Sequence, residues 1–169
     1  HVVRGLDLSP PPADLAVPME FVQGSVTDAE TCARAVQGCQ AVCHLAARVG
    51  DWGPGRSFFA VNVGGTEAVL KAARDGGLQR FVLVSSLAVH HYGGHLDADE
   101  STARDATINA YALSKIAAED LLRQEAGSVE WVIVRPGVFP FGPRDHTTFV
   151  HMAAAAERGQ LGTVNGGRA

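Results

Sequence analysis

The sequence lacks several features that assign a chain to a class at sight. It has only three cysteines, Cys32, Cys39 and Cys43, in 169 residues, and none forms a C-x-x-C pair. We therefore expect reduced, packed thiols rather than a disulfide framework. Seven histidines are present, but they lack H-E-x-x-H spacing, so we expect no metal site.

Charge and hydropathy exclude further classes of partner. The net charge is -4 and the basic residues form no cluster, so we expect no nucleic-acid partner. No apolar run approaches the ~20 residues of a membrane-spanning helix, and the N-terminus does not have the pattern of a signal peptide. With 46% hydrophobic and 19% charged residues, the composition is typical of a globular domain, and we expect it in the cytoplasm.

Short apolar runs alternate with helical patterns along the chain. The predicted strands cover residues 1–7, 19–23, 41–47, 81–84 and 131–134, and the predicted helices cover residues 27–36, 56–75, 109–122 and 148–157. A capping box of Thr27 and Glu30 should begin the first helix. The continuous apolar run at 41–47 predicts a strand that is buried on both faces. This alternation predicts an α/β fold with a doubly wound parallel sheet.

Tyr111 and Lys115 are four residues apart in a predicted helix, and Ser85 and Ser86 end the strand before it. A spacing of four places the phenol and the ammonium on one helix face. Because a nearby cation favours the ionised form of a phenol, the pair could transfer a proton near neutral pH. We expect Ser86 to orient the substrate.

The order of these motifs resembles that of the extended short-chain dehydrogenase/reductase superfamily, of the NAD-dependent epimerase/dehydratase type. Four flanking segments carry the resemblance: VCHLAA at 42–47, NVGGT at 62–66, RFVLVSS at 80–86, and RPG at 135–137 continuing to FGP at 141–143. The resemblance implies a Rossmann-like fold with Tyr111, Lys115 and Ser86 as catalytic residues. In it Tyr111 transfers the proton, Lys115 favours the phenolate and binds the ribose, and Ser86 holds the substrate oxygen.

NAD is the cofactor that we expect, and NADP is disfavoured. Asp7 ends the first predicted strand, where an acid pairs with ribose hydroxyls and repels a 2′-phosphate. Where the family usually has an Asp against the adenine, this chain has Ser25. The resemblance implies cofactor contacts from residues at the ends of the strands and in the helices that follow: Ser25, Val26, Leu45, Ala46, Ala47, Asn62, Val84, Ser85, Tyr111, Lys115, Pro136 and Val138.

No glycine-rich phosphate-binding turn of the G-x-G-x-x-G kind occurs in the sequence. In the dinucleotide-binding order 3-2-1-4-5-6, the strand that carries this turn lies between the strands predicted at 2–6 and 41–44. We therefore expect a chain truncated at both ends, with a partial dinucleotide-binding domain at 1–140 and the start of a substrate-binding cap at 141–169. We expect either a slot between the two strands or a non-native closure that brings them together. Since each unpaired buried group costs roughly 1–3 kcal/mol, the isolated chain should be unstable and bind no dinucleotide measurably.

The segments at 48–53 and 141–145 most resemble 3β-hydroxysteroid and sterol-4α-carboxylate dehydrogenases. The favoured hypothesis is NAD-dependent oxidation of a secondary alcohol in a small, sterol-like molecule, with a homodimer as an open alternative to a monomer. A nucleotide-sugar epimerase that uses the same three residues is the first alternative, and a non-catalytic dinucleotide-sensing module is the second. Trp52 lies in a predicted loop, where we expect packing rather than substrate contact.

Overall fold

The computed structural model describes residues 2–15, 18–91, 93, 95–137, 142 and 148–162. Within these residues the strands are β1 (Arg4–Asp7), β2 (Glu20–Gln23), β3 (Ala41–His44), β4 (Arg80–Val84) and β5 (Glu130–Val134). The α-helices described there are α1 (Ala29–Val36), α2 (Gly55–Phe59), α3 (Gly65–Asp75), α4 (Ala110–Glu125) and α5 (Thr148–Glu157). None of the helices in the described part of the chain is both long enough and apolar enough to cross a membrane.

All the described strand pairs are parallel, as predicted, but the strands form two sheets. β1 pairs with β2 in one sheet, and the other sheet has the order β3-β4-β5. Helix α1 packs against both strands of the first sheet and against α3, which packs in turn on β3. The alternating pattern of the sequence thus produced a parallel α/β architecture, as expected.

A cleft of about 1170 Å³ lies between β1 and β3, and both strands line it. Its position matches the slot predicted from the strand order. The cleft also explains why β3 is not buried on both faces: Ala41 and Cys43 are exposed, whereas His44 is buried. The prediction of packed thiols is correspondingly wrong for Cys43, although all three cysteines are free.

Helix α1 begins one residue later than the predicted capping box. The carboxylate of Asp28 accepts a hydrogen bond from the Thr31 amide at 2.7 Å, which makes Asp28 the N-cap. The Thr27 hydroxyl is instead 2.8 Å from the Ser25 hydroxyl. Asp28 rather than Thr27 caps the helix because a charged oxygen at the N-cap also interacts favourably with the helix dipole.

The helix predicted at 56–75 is interrupted by a π-helical turn. α2 runs directly into the π turn Ala60–Gly64, which runs directly into α3. The Thr66 hydroxyl donates to the Asn62 carbonyl at 2.6 Å and so satisfies a backbone group of the widened turn. Such single π turns are frequent at functional sites, and here the turn contains Asn62.

The core is formed by α1, α3 and α4, with α3 in contact with both of the other helices, and by residues of the β3-β4-β5 sheet. Its buried hydrophobic residues are Val26, Cys32, Val36, Val69, Leu70, Ala72, Ala73, Leu78, Phe81, Leu83, Ala118, Leu122, Ala126 and Val129. Alternate residues of β4 are buried, so the central strand points large side chains at the helices. This packing holds the carboxyl end of β4 against α4.

Candidate active site

Helix α4 carries the Tyr111 and Lys115 pair, as predicted. Its N-cap is Asn109, whose side-chain oxygen accepts a hydrogen bond from the Ala112 amide at 2.8 Å. The cap fixes where the helix begins, and therefore places Tyr111 in the first turn and Lys115 one turn later. Tyr111 is half-buried and Lys115 is 4% exposed.

Lys115 joins α4 to the end of β4. Its Nζ donates to the Val84 carbonyl oxygen at 2.7 Å. Burial lowers the pKa of the Lys115 ammonium to about 8, although the negative charge of Glu119 raises it in part. An ammonium has three protons to donate, so two remain beyond the bond to Val84 for a hydroxyl or a phenol.

The two serines that follow Val84 have different surroundings. Ser86 is half-buried, and its hydroxyl accepts from the Ala88 amide at 3.1 Å, which caps the short 3-10 turn Leu87–Val89. Ser85 is buried, and its amide donates to the Val134 carbonyl at 2.7 Å. The structure therefore brings together the predicted site residues of β4 and α4 at the carboxyl edge of the sheet, where ligands bind in open α/β folds.

Asn62 is 2% exposed and fully engaged with protein groups. It accepts from the Arg48 amide at 2.7 Å, and it donates to the Arg48 carbonyl at 3.0 Å and to the Ser114 hydroxyl at 2.8 Å. Ser114 donates onward to the Tyr111 carbonyl at 2.7 Å. The amide predicted to support the site's backbone thus ties the segment after β3 to the Tyr111 turn, and Ser114 is a link that the sequence did not reveal.

Four residues predicted to contact the cofactor lie along the cleft or beside it. Asp7 lies at the exposed end of β1, and its carboxylate accepts from the Ser9 amide at 3.0 Å. Leu45 and Ala46 follow β3 and are exposed, and Ala47 is half-buried. Asp7, Leu45 and Ala46 line the cleft.

The remaining predicted cofactor contacts are less uniform. Ser25 is half-buried, and its hydroxyl accepts from the Thr27 amide at 3.1 Å. Val26 lines the cleft and its side chain also packs in the core against Gly65. Pro136 is half-buried and its carbonyl accepts from the Leu87 amide at 3.2 Å. Val138 falls outside the described residues.

His44 is a buried group that sequence reasoning missed. It ends β3, and its Nε2 has no hydrogen-bond partner within the described ranges. Burial, with a smaller contribution from the Lys115 charge, lowers the pKa of His44 to about 4. His44 is therefore neutral beside a charged lysine, and its position in an apolar V-x-H-x-A run was the only signal that could have marked it.

Trp52 does not pack as predicted, since its side chain is 91% exposed. The loop that carries it is held near α4, where the Asn109 amide lies 3.5 Å from the Asp51 carboxylate. Glycines on both sides, Gly50 and Gly53, have φ angles of 142° and 140°. These conformations favour glycine, and they turn the chain so that the indole faces away from the core.

Within the residues that the structure describes, no group of three or more His, Cys, Asp or Glu side chains is arranged to hold a metal ion. The side chains described at the carboxyl edge offer a phenol, a buried ammonium and hydroxyls, beside backbone groups. These are proton-transfer and hydrogen-bonding groups.

Comparison with known proteins gives consistent matches. The family model described as "NAD dependent epimerase/dehydratase family" matches residues 1–166. A 3 beta-hydroxysteroid dehydrogenase/Delta 5-->4-isomerase of Mycobacterium tuberculosis is 32% identical over 98% of this chain and 48% of its own length. The chain thus spans about half the length of this curated relative.

Solved structures share the fold. A short-chain dehydrogenase/reductase superfamily protein from Agrobacterium tumefaciens with bound NAD is 37% identical, covering 79% of this chain and 40% of that one, with a TM-score of 0.69. A dTDP-glucose 4,6-dehydratase from Streptomyces venezuelae with bound NAD is 26% identical, covering 94% of this chain and 53% of that one, with a TM-score of 0.78.

Proposed function

Because the chain belongs to the NAD-dependent epimerase/dehydratase family, we propose that the protein is an NAD-dependent dehydrogenase that oxidises a secondary alcohol of a sterol-like small molecule. One observation carries the proposal: the Lys115 ammonium is fixed on the Val84 carbonyl, two residues before Ser86 and one helical turn after Tyr111. A phenol, an ammonium and a hydroxyl are thus supplied at one edge of the sheet by elements that pack tightly together.

The residues present fit the ribose and nicotinamide parts of NAD. Asp7 offers a carboxylate at the exposed end of β1, a position that suits hydroxyls of the adenosine ribose. The small side chain of Ala46 leaves the backbone after β3 open to a close approach. The two Nζ protons of Lys115 that are not donated to the Val84 carbonyl suit the hydroxyls of the nicotinamide ribose.

In this proposal the proton and the hydride of the alcohol go to different acceptors. Tyr111, as the phenolate, takes the hydroxyl proton, and bound NAD supplies the hydride acceptor for the carbinol carbon. Lys115 stabilises the phenolate because its positive charge lies on the same face of α4. Ser86 donates a hydrogen bond to the substrate oxygen and holds it towards the phenol.

Exposed apolar side chains favour an apolar substrate. Leu45, Val49 and Trp52 follow β3 and are 65%, 73% and 91% exposed, and Leu87 follows β4 and is 43% exposed. All four belong to segments that leave the carboxyl edge of the sheet, on the same side as Ser86. Large apolar side chains left exposed around the site favour an apolar ligand, and a sterol-like skeleton would cover part of them. Similarity to a 3 beta-hydroxysteroid dehydrogenase supports the same substrate class.

Tyr111→Phe in the full-length protein tests the proposal. With a panel of 3β-hydroxysteroids and NAD, the variant should lose about 100-fold or more in kcat, since general acid–base groups contribute at least that much. Its NAD affinity, measured by calorimetry, should stay within about twofold of the wild type because the ring still packs. A Tyr111→Phe variant whose kcat stays within about tenfold of the wild-type value would overturn the role of Tyr111.

A nucleotide-sugar epimerase is the second candidate, favoured by the likeness to a dTDP-glucose 4,6-dehydratase over 94% of the chain. A dehydratase itself is disfavoured by residues Leu87 and Ala88, because that branch has Asp-Glu directly after the hydroxyl residue. The same assay separates the candidates: an epimerase converts a nucleotide sugar without net accumulation of NADH, whereas a dehydrogenase accumulates it. Binding of NAD without turnover of any substrate would favour the non-catalytic sensing module.

A further inference from the structure

Glu119 is a buried carboxylate that the proposed chemistry does not use. It lies on α4 one turn after Lys115, and its side chain is 0% exposed. A buried charge is costly unless it is paired. Arg135 pairs with it through two parallel hydrogen bonds, from Nε to Oε1 at 2.9 Å and from Nη2 to Oε2 at 2.8 Å.

Two further arginines surround the same carboxylate. Arg104 Nη1 lies 3.4 Å and Arg123 Nη2 lies 3.6 Å from Oε2 of Glu119, and Arg104 also pairs with Asp120 at 2.7 Å. One bidentate arginine already balances the charge of a carboxylate, so neutralisation alone does not require three. Burial is the largest single effect on the pKa of Glu119 and raises it, but the hydrogen bonds from Arg135, the neighbouring Ser85 hydroxyl and the charges of Arg135 and Arg104 together hold that pKa below its usual value.

The three arginines come from three different segments. Arg123 belongs to α4 itself, Arg104 belongs to the segment that joins β4 to α4, and Arg135 follows β5 directly. Glu119 therefore joins the segment before α4, α4 itself and the segment after β5. The Ser85 hydroxyl also lies beside Glu119, outside normal hydrogen-bond geometry.

Two of these segments, the one after β5 and α4 itself, lead to residues of the proposed site. Arg135 precedes Pro136, whose carbonyl accepts from the Leu87 amide at 3.2 Å. Leu87 in turn follows Ser86. A displacement of Arg135 would thus be transmitted to the serine, while a displacement of Glu119 would be transmitted along α4 to Lys115.

Glu119 also contributes to the charge around Lys115. Burial and the charge of Glu119 on its own helix act on the Lys115 ammonium, and the Val84 carbonyl of β4 is its hydrogen-bond acceptor. The Lys115 charge acts in turn on His44 at the end of β3. His44 is neutral above its pKa of about 4, so Glu119 is the negative group that opposes the effect of burial on Lys115.

We propose that Glu119 is a positioning residue for the reaction at Tyr111 and Lys115, in two ways. Through Arg104 and Arg135 it fixes the segments before α4 and after β5 to the catalytic helix, and through its charge it keeps the Lys115 ammonium protonated. This inference rests on the proposed function for its kinetic consequences, but the protonation of Lys115 can be measured without any substrate.

Glu119→Gln in the full-length protein is the first test, with Glu125→Gln as the matched control on the same helix. The Glu125 side chain is 59% exposed and pairs with Arg74 at 3.4 Å. For Glu119→Gln we expect kcat to fall about tenfold or more with a smaller change in KM, and the pH at which activity declines on the alkaline side to move downwards. Glu125→Gln should match the wild type in both.

The direction follows from the charges. A nearby negative charge raises the pKa of an ammonium, so removing it lowers the pKa of Lys115 further below about 8. NMR titration of ¹³C-labelled lysine measures this shift directly in the absence of substrate. An unchanged Lys115 titration, or an unchanged kcat and pH profile in a folded Glu119→Gln variant, would overturn the proposal.

Glu119→Gln leaves Arg135, whose side chain is 11% exposed, without its counter-charge, and a loss of stability would hinder the assay. The double variant Glu119→Gln, Arg135→Gln replaces the ion pair by two neutral amides and so restores the balance of charge. Because one negative and one positive charge are removed together, stability should recover and the alkaline limb of the pH profile should return towards wild type. The kcat should stay reduced, since the bidentate ion pair that fixes the segment after β5 to α4 is lost. A double variant with the kcat of the wild type would contradict the positioning role.

The outcomes also separate this inference from the proposed function. A wild-type protein that turns over no alcohol, but whose Lys115 titration shifts in Glu119→Gln, refutes the function and supports the electrostatic role. An active wild-type protein whose Lys115 titration is unaffected by Glu119→Gln supports the proposed function and refutes the electrostatic role of Glu119.

Discussion

Asn62→Ala is expected to loosen the segment after β3 from the catalytic helix. The side chain makes three hydrogen bonds, two to the backbone of Arg48 and one to Ser114, at 2.7 to 3.0 Å. Each is worth about 1 kcal/mol net, and the groups left behind are wholly or partly buried, so the variant should lose about 3 kcal/mol of unfolding free energy.

Urea unfolding of the full-length protein, followed by circular dichroism, measures the loss. Ser57→Ala is the matched control: Ser57 lies in α2 shortly before Asn62, its hydroxyl is exposed, and it makes one hydrogen bond, to the Pro54 carbonyl at 2.7 Å. The control should change stability by no more than about 0.5 kcal/mol. Asn62→Ala should also weaken NAD binding several-fold, since it frees the backbone that follows Ala46 and Ala47.

A loss below about 1 kcal/mol would refute the reasoning, because water would then replace all three bonds without cost. Wild-type NAD affinity in a variant that does lose stability would show that the segment after β3 keeps its position without Asn62. It would also separate the structural role of Asn62 from any role in the site.

Three further predictions concern protonation, cofactor choice and substrate contact. The folded pKa of His44 is about 4, below the 6.5 usual for a histidine, so the unfolded chain binds more protons between these values and stability falls as pH drops from 6.5 to 4. His44→Gln should remove up to about 3 kcal/mol of this pH dependence in urea titrations, and identical curves would contradict the burial of a neutral imidazole. Asp7→Asn should reduce a preference of the wild type for NAD over NADP, measured as the ratio of kcat/KM, and a wild type that prefers NADP would count against Asp7. Trp52→Ala should raise KM for an apolar alcohol several-fold without changing NAD affinity, whereas Trp131→Phe on β5 should leave both unchanged; an unaltered KM would remove Trp52 from the substrate site.

Local features of the fold were predictable because they depend on neighbouring residues. The alternation of apolar runs marked all five strands, and Gly38 and Gly77, with φ angles of 74° and 67°, follow the helices that they were predicted to end. The N-cap at Asp28 was missed because Thr27 and Asp28 are both good caps, and a sequence does not say which one the backbone will select. The π turn at 60–64 was missed because it leaves no mark on the hydrophobic periodicity.

The candidate site was predictable only as far as its motif extends. Tyr111 and Lys115 are close in sequence, so their common face followed from helix geometry. The bond between Lys115 and Val84 and the pairing of Glu119 with Arg135 join residues 31 and 16 positions apart. Such pairs depend on how α4 packs over the sheet, and no pattern within either segment encodes it.

The π turn at Ala60–Gly64 has a consequence for how this chain can tolerate insertions and deletions. The wider i→i+5 turn of a π-helix holds one residue more than an α-helical turn, so one residue lost from it would leave a regular α-helix and keep the faces of α2 and α3 in place. Phe58, which is 1% exposed, would then keep its packing, whereas the side chain that faces Arg48 would depend on which residue of the turn was lost. A homologue one residue shorter at this place would therefore keep the helix, and alignments that place the gap in a neighbouring loop instead would misassign the residue equivalent to Asn62.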